Sequence, residues 1–409
     1  MSFQRSCVVQ KFGGTSVATL ERIKHVAEII AAAHERKDVV AVVSAMAGVT
    51  NKFVNYVHNV GSKEGDPEYD KVVSAGELIT AGLLAIALKN IGVNARSYSA
   101  WQVPIITDEN FGQATISEIN PQKLQEDMAS GIVPIVSGFQ GITRDGRVTT
   151  LGRGGSDFSA VAISAALRAD LCEIYSDVDG VYTVDPNLSA NARLIPQINY
   201  ADMLDMSAHG AKILQEQSVA YAMEANVVVR VASSFVDTGG TIISSTMPEM
   251  DYCGIAVTQN LTALKVCNTE NFEAILEMLN KNFIAADPIE NKKCTLFIDK
   301  KKFEAAQNIL KAQKIETKRE LLKRHFSKIS IIGSAANVAT CSKIQKFLND
   351  NGVNIFQCNN AGSRRINIII PGEQLLSAVN FLHDYCRLGD ADKIKSEDNQ
   401  FKKQGVKTA

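Results

Sequence analysis

No stretch of about 18 uninterrupted apolar residues occurs anywhere in the 409-residue chain, which argues against a membrane-spanning helix. Residues 1–7 run directly into a strand pattern without an apolar secretory core, so a soluble, cytoplasmic protein is expected. The eight cysteines form no CxxC pair and the six histidines show no HExxH spacing; buried, reduced thiols and no protein-held metal are expected. With 43 basic and 44 acidic residues the net charge is -1, which disfavours a nucleic acid or an anionic membrane as main partner. Charge must act locally, inside a site.

Against that plain background, Thr149-Thr150-Leu151-Gly152-Arg153-Gly154-Gly155-Ser156-Asp157 stands out. It sets a guanidinium, a carboxylate and backbone without side chains close together. Glycines let amide N–H groups approach a bulky anion, and an arginine fork grips a carboxylate or phosphate through two parallel hydrogen bonds. A second glycine pair lies in Lys11-Phe12-Gly13-Gly14-Thr15-Ser16, at the end of the first strand pattern. There a lysine can neutralise phosphate charge while glycine amides and Ser16 donate to phosphate oxygens. The segment is neither GxxxxGK[ST] nor GxGxxG, so a Walker A loop and a dinucleotide fold are disfavoured. Taken alone, the pair also fits a simple strand-to-helix turn; together the two segments suggest two anion cradles, one for ATP and one for an acidic acceptor.

The first 245 residues alternate strand and helix patterns: strands at 7–10, 39–43, 132–136 and 171–175, helices at 20–36, 78–88 and 158–168. Continuous apolar strands joined by helices predict an α/β fold with a mostly parallel sheet sandwiched by helices. Ligands on such sheets collect at the carboxyl ends of strands, where both glycine segments fall. Near 246–251 the rhythm changes, and a repeated βαββ order predicts two ferredoxin-like α+β modules. The resulting division is 1–247, 253–322 and 326–389, followed by a polar, lysine-rich tail at 390–409 expected to be disordered.

Other candidates are more ambiguous. Glu77 opens the helix pattern 78–88, where a carboxylate complements the helix dipole or receives a substrate ammonium. The 44–51 segment, with Thr50, offers hydroxyls after a strand or forms a polar turn. Ser176, Asp177 and Tyr182 follow the 171–175 strand and provide a face for a nucleotide base, although turn chemistry explains Asp179-Gly180 and Asp185-Pro186 equally. No Ser/His/Asp or Cys/His arrangement is evident. A carboxylate acceptor, already ionised at neutral pH, needs none. Asp157 would orient Lys11 or a substrate amine, with Lys11 and Arg153 as the electrostatic core.

These motifs, with Ser74-Ala75-Gly76-Glu77 and Gly138-Phe139-Gln140-Gly141, resemble the aspartate kinases of the amino acid kinase superfamily over nearly the whole chain. The resemblance implies ATP held by Lys11, Phe12, Gly13, Gly14, Ser16, Ser176, Asp177, Tyr182 and Lys212, with Mg²⁺ carried mainly by the phosphates. It implies aspartate held by Thr50, Glu77, Arg153, Gly154, Gly155 and Ser156. The C-terminal repeat is similar to paired ACT domains, implying a dimer or tetramer and a lysine or threonine effector. Two departures bear on this: the Pro-Gly usual before an ACT helix is absent at 268–271 and 333–338, and Asn187 stands where relatives commonly carry arginine. Glutamate or acetylglutamate kinases, and an amino-acid-sensing subunit without catalysis, are the alternatives.

Overall fold

The computed structural model describes residues 5–390 apart from 212, 248–249, 268–270, 291, 293, 323, 361 and 363. The tail 390–409 expected to be disordered thus falls, beyond residue 390, outside the described residues. The chain divides into two compact units. One contains 1–181, 196–204 and 212–248, the other 182–195, 205–211 and 249–409.

The first unit is built on an eight-stranded sheet in the order 197–199, 241–244, 229–233, 171–176, 7–12, 38–43, 133–137, 95–98. Strands Cys7–Phe12, Asp38–Val43, Val133–Ser137, Leu171–Ser176 and Val229–Ser233 run parallel, and Thr241–Ser244 runs against them. Their runs of valine and isoleucine suit strands buried on both faces. Helix Leu20–His34, capped by the Thr19 hydroxyl, turns Ile23, Val26, Ala27 and Ile30 onto one face beside Ala81, Leu84 and Leu88 of helix Ala75–Asn90. The run 67–90 is long and apolar enough to cross a membrane by composition, yet half of it is buried against this sheet. Helix Gly155–Leu167 is predominantly apolar and almost wholly buried through Ser164.

The second unit carries two four-stranded antiparallel sheets. One comprises Leu261–Val266, Ala286–Pro288, Thr295–Asp299 and Thr317–Glu320, with helices Phe272–Lys281 and Phe303–Ala312. The other comprises Gly254–Thr258, Phe326–Ile332, Gln357–Asn360 and Arg365–Pro371, with helices Val338–Asp350 and Leu375–Tyr385.

Two domain expectations need correction. Strand Gly254–Thr258, assigned by sequence to the first module, pairs antiparallel with Phe326–Ile332 from Gly254↔Ile332 to Thr258↔Lys328. A turn through Asn260, at φ 58°, carries the chain from one sheet to the other. The module spanning 261–320 is therefore inserted between the first and second strands of its neighbour. Segments 182–195 and 205–211, assigned to 1–247, also pack with the C-terminal unit. Ile255 donates its amide to Thr183 O at 2.7 Å, and Val184, Leu188 and Ala192 join the core of Ile329, Ile331 and Leu382.

Candidate active site

The site grows from the carboxyl ends of four neighbouring parallel strands. Alternation in Cys7–Phe12 sends Phe12 to one face, where its ring stacks on Tyr175 with centroids 4.9 Å apart, and Lys11 to the other, toward helix Gly155–Leu167. The Lys11 ammonium lies 2.5 Å from Asp157 Oδ1, and both side chains are largely buried. Lys11 Nζ also sits 3.3 Å from where a Gly13 Cβ would stand. A side chain there would crowd the ammonium, which gives a packing reason for glycine at this turn.

The expectation for this turn is refined in two places. Phe12, named as an ATP residue, is fully buried core whose side chain faces away from the Lys11 side. Gly13 donates its amide to Tyr175 O at 3.1 Å and is not available to a phosphate, leaving the Gly14 amide as the turn's glycine donor. Gly14 in turn lies so near Ala45 O that a Cβ would approach to 3.1 Å. Ser16 is wholly buried and accepts from Ser234 Oγ at 2.8 Å; Ser234 accepts the Arg22 guanidinium, which stacks 3.8 Å over Phe235. Because each hydroxyl is supplied with a proton from behind, Ser16 keeps its own for an acceptor. Sequence reasoning missed Arg22 and Ser234, since nothing local links residues 212 positions apart.

The second cradle is wedged against the first. Residues 138–139, just after strand Val133–Ser137, abut the start of helix Gly155–Leu167: a Cβ on Gly138 would meet Ser156 Cβ at 2.9 Å, and one on Gly155 would meet Phe139 Cδ2 at 2.9 Å. Phe139 adopts φ 68°, a conformation that costs a bulky residue about 1–3 kcal/mol. It is held there by bonds from its amide to Ser159 Oγ and from Leu151 N–H to its carbonyl. Gly154, the helix N-cap at φ 74°, leaves room for Gln215, whose Cγ would lie 2.0 Å from an added Cβ. Arg153 is exposed, four residues before the aspartate that holds Lys11.

Asp70, also missed, fastens this loop from below. Its Oδ2 accepts the amides of Gly112 at 2.9 Å and Thr150 at 2.7 Å, and burial raises its pKa against those two bonds. The only sequence signal is an acidic residue amid the apolar positions of helix Pro67–Val73.

Glu77 completes the arrangement. It lies in the first turn of helix Ala75–Asn90, and its Oε1 accepts the Ala45 amide at 3.0 Å. Its Oε2 is buried with no hydrogen-bond partner among the described residues. Burial pushes its pKa up to about 7, opposed by the Ala45 amide and its own. A buried, unpaired carboxyl oxygen of raised proton affinity is suited to receive a cation. Thr50, half-buried, stands in the first turn of helix Val49–Val60 beyond the left-handed Gly48.

Contacts thus join Lys11, Gly13, Gly14, Ser16, Glu77, Gly154, Gly155, Ser156 and Asp157 in one region, with Thr50 and Arg153 on its connecting segments. Ser176, at its strand end, bonds Asp177 at 2.9 Å, and Ser234 donates its amide to Ser176 O. Tyr182 belongs to the second compact unit, and Lys212 lies outside the described residues. Asn187 donates both its backbone amide and its side-chain amide to Asp185 Oδ1, so Asp185 caps a local turn there.

Glycine-lined backbone, a buried ammonium and an unpaired buried carboxyl at the carboxyl ends of a parallel sheet define an α/β protein built for phosphorylated anions without a P-loop. Residues 6–233 match the amino acid kinase family. The chain is 36% identical to an aspartate kinase of Pseudomonas putida over 92% of this chain and 96% of that protein, and 34% identical to an aspartokinase of Mycolicibacterium smegmatis over 94% and 97%. It is also similar to the structure of E. coli aspartokinase III in complex with aspartate and ADP, with a TM-score of 0.74, 25% identity, and 92% of this chain and 99% of that one covered. For the lysine- and aspartate-bound T-state of that enzyme the TM-score is 0.71 at 25% identity, covering 93% and 99%. The chain belongs to the amino acid kinase family and, within it, to the aspartate kinases.

Proposed function

We propose that this chain transfers the γ-phosphoryl group of ATP to the side-chain carboxylate of L-aspartate, forming 4-phospho-L-aspartate. The observation that carries the reading is the Lys11–Asp157 pair set over the Gly13-Gly14 turn, with the unpaired Glu77 oxygen reached through Ala45. An aspartate side chain, with ordinary pKa of about 3.9, is already the nucleophile at neutral pH, so no general base is needed. Two like charges in close contact repel by about 4 kcal/mol at an effective dielectric of ~20, and relieving that repulsion is the site's main task. Lys11 neutralises phosphate oxygens while Asp157 holds its ammonium in place. The Gly14 amide and Ser16 hydroxyl add donors. Arg153 and the start of helix Gly155–Leu167 take the α-carboxylate, and ionised Glu77 takes the ammonium. Mg²⁺ carried by the nucleotide phosphates would supply further neutralisation.

Ser176, Asp177, Tyr182 and Lys212 are assigned to the nucleotide side, and Thr50 and Ser156 to aspartate. We place the enzyme in the cytoplasm, at the entry to diaminopimelate, lysine, threonine and methionine synthesis. The C-terminal modules, read as ACT domains, would join copies into a dimer or tetramer and receive lysine or threonine. The E. coli enzyme captured with lysine supports an amino-acid effector of this kind.

A hydroxamate assay for acyl phosphate with aspartate, glutamate and acetylglutamate tests the assignment. Signal is expected with aspartate alone and is expected to disappear in Lys11→Ala. Turnover of glutamate in place of aspartate, or an active Lys11→Ala enzyme, would overturn it.

A further inference from the structure

Cys341 and Cys358 both carry free thiols, and the two are not far apart. Cys341, in the first turn of helix Val338–Asp350, and Cys358, in strand Gln357–Asn360, place their Sγ atoms 2.7 Å apart. That is only ~0.7 Å beyond a covalent sulfur–sulfur bond of about 2.0 Å. The elements that present them are fixed independently. Cys358 pairs with Ile368 in the sheet, Cys341 packs with Ile344 and Leu348 in the module core, and Asn360 Nδ2 bonds Ala336 O at 3.2 Å just before the helix. Bond formation would draw the two sulfurs together by only ~0.7 Å.

We propose that Cys341 and Cys358 form a reversible intramolecular disulfide, a modification site of the second C-terminal module, by exchange with a low-molecular-weight disulfide such as glutathione disulfide. The half-exposed Cys358 thiolate attacks one glutathione sulfur, forming a mixed disulfide and releasing one glutathione thiolate. Cys341, losing its proton to solvent, then attacks the Cys358 sulfur and expels the second glutathione. The protein loses two electrons and two protons, and one glutathione disulfide becomes two glutathione thiols. Burial and the neighbouring thiol raise the proton affinity of Cys358, so the exchange is slow near neutrality and accelerates with pH. The product closes a loop around Ile344, Leu348 and Val353, restricting the unfolded chain more than the folded one.

The test uses the full-length chain, equilibrated with glutathione disulfide, quenched with an alkylating reagent and read by intact mass and peptide mapping. Wild type is expected to lose two alkylatable thiols and two hydrogen masses, carry no glutathione, and yield linked peptides containing Cys341 and Cys358; dithiothreitol restores both thiols. Cys341→Ser is expected to stop at a stable glutathione adduct on Cys358, with an unchanged circular dichroism spectrum. The oxidised wild type should also melt a few degrees above the reduced form, and Cys341→Ser should show no such rise. Both thiols remaining alkylatable, a lasting glutathione adduct on wild type, or a link between other cysteines would overturn the proposal.

Discussion

Among the described residues, each unit buries a lysine–aspartate pair, and the two pairs are partnered differently. Lys328 and Asp287 in the second unit lie 2.6 Å apart with side chains 2% and 7% exposed. Asp287 spends its other oxygen on Asn367 Nδ2 at 2.6 Å, and Asn367 accepts from Ser330 at 2.9 Å, so both carboxylate oxygens are occupied. Lys11 and Asp157 lie 2.5 Å apart at 9% and 12%, at the lip of a glycine turn. Around them, buried atoms such as Glu77 Oε2 and Ser137 Oγ have no partner among the described residues. The same ion pair therefore serves two ends: saturated with hydrogen bonds it joins two sheets, and set among unspent polar groups it holds a cation ready for a ligand.

A crossed substitution offers the most direct way to break this contrast. Lys11→Met is expected to lower kcat by about 10²–10³-fold, as for loss of one transition-state donor. Lys328→Met is expected to leave kcat within a few fold while removing about 3–5 kcal/mol of stability, because Asp287 is left charged and buried. Steady-state kinetics and urea unfolding on both variants check it; equal kinetic losses would erase the distinction. In a second step, Lys328→Met combined with Asp287→Leu should recover most of the lost stability, since an apolar pair carries no desolvation penalty. A double variant as unstable as the single one would show that Asn367 and Ser330 depend on the pair.

Smaller effects sharpen the picture on the catalytic side. Gly154→Ala forces a Cβ into Gln215 and into a left-handed backbone, an expected cost of about 1–2 kcal/mol with a raised KM for aspartate, partly relieved by Gln215→Ala. Relief by Gln215→Ala separates crowding from backbone strain in the same melting and kinetic assays.

Glu77 should impose a pH dependence on substrate binding. With its folded pKa near about 7, the ionised form that takes an ammonium gains population as pH rises, so the aspartate KM should fall between roughly pH 6 and 8. Glu77→Gln should show a higher KM that is flat across that range. For stability the sign is opposite. The unfolded carboxyl releases its proton near 4.5 and the folded one near about 7, so Glu77's contribution declines as pH rises through that window.

The least effect concerns buried imidazoles in the second unit. Burial lowers the pKa of His209 and His383 below 6.5, so the unfolded state takes up protons first and stability should fall as pH drops below about 6.5. His383→Gln, able to retain a bond to Thr183, should flatten part of that slope in pH-dependent melting.

Much of the site could be read in one dimension because its chemistry is local. Lys11 with Gly13-Gly14, and Arg153 through Asp157, each occupy one turn at a strand or helix end. Glycine there records a close approach by a neighbour, such as the Lys11 ammonium at Gly13 or Gln215 at Gly154. The partners that hold these segments were not legible. Arg22, Ser234 and Gln215 act across long separations on positions that carry no periodic or motif signal, and Asp70 is marked only by its charge within helix Pro67–Val73. The fold divides in the same way: apolar runs marked the parallel strands, while sheet membership of Gly254–Thr258 was misread because a tight turn exchanged its partner.

By itself, the amino-acid order determined the α/β unit with its repeat-bearing successor, and the two glycine segments that carry the charges, since strand burial, turn conformation and charge placement depend on near neighbours. Tertiary structure alone decided which side of the sheet Lys11 faces, that Asp157 is its counter-ion, that Glu77 is buried with raised proton affinity, and that one C-terminal module is inserted in the other. Those outcomes depend on desolvation and on pairing between distant segments, quantities that exist only once the chain has closed on itself.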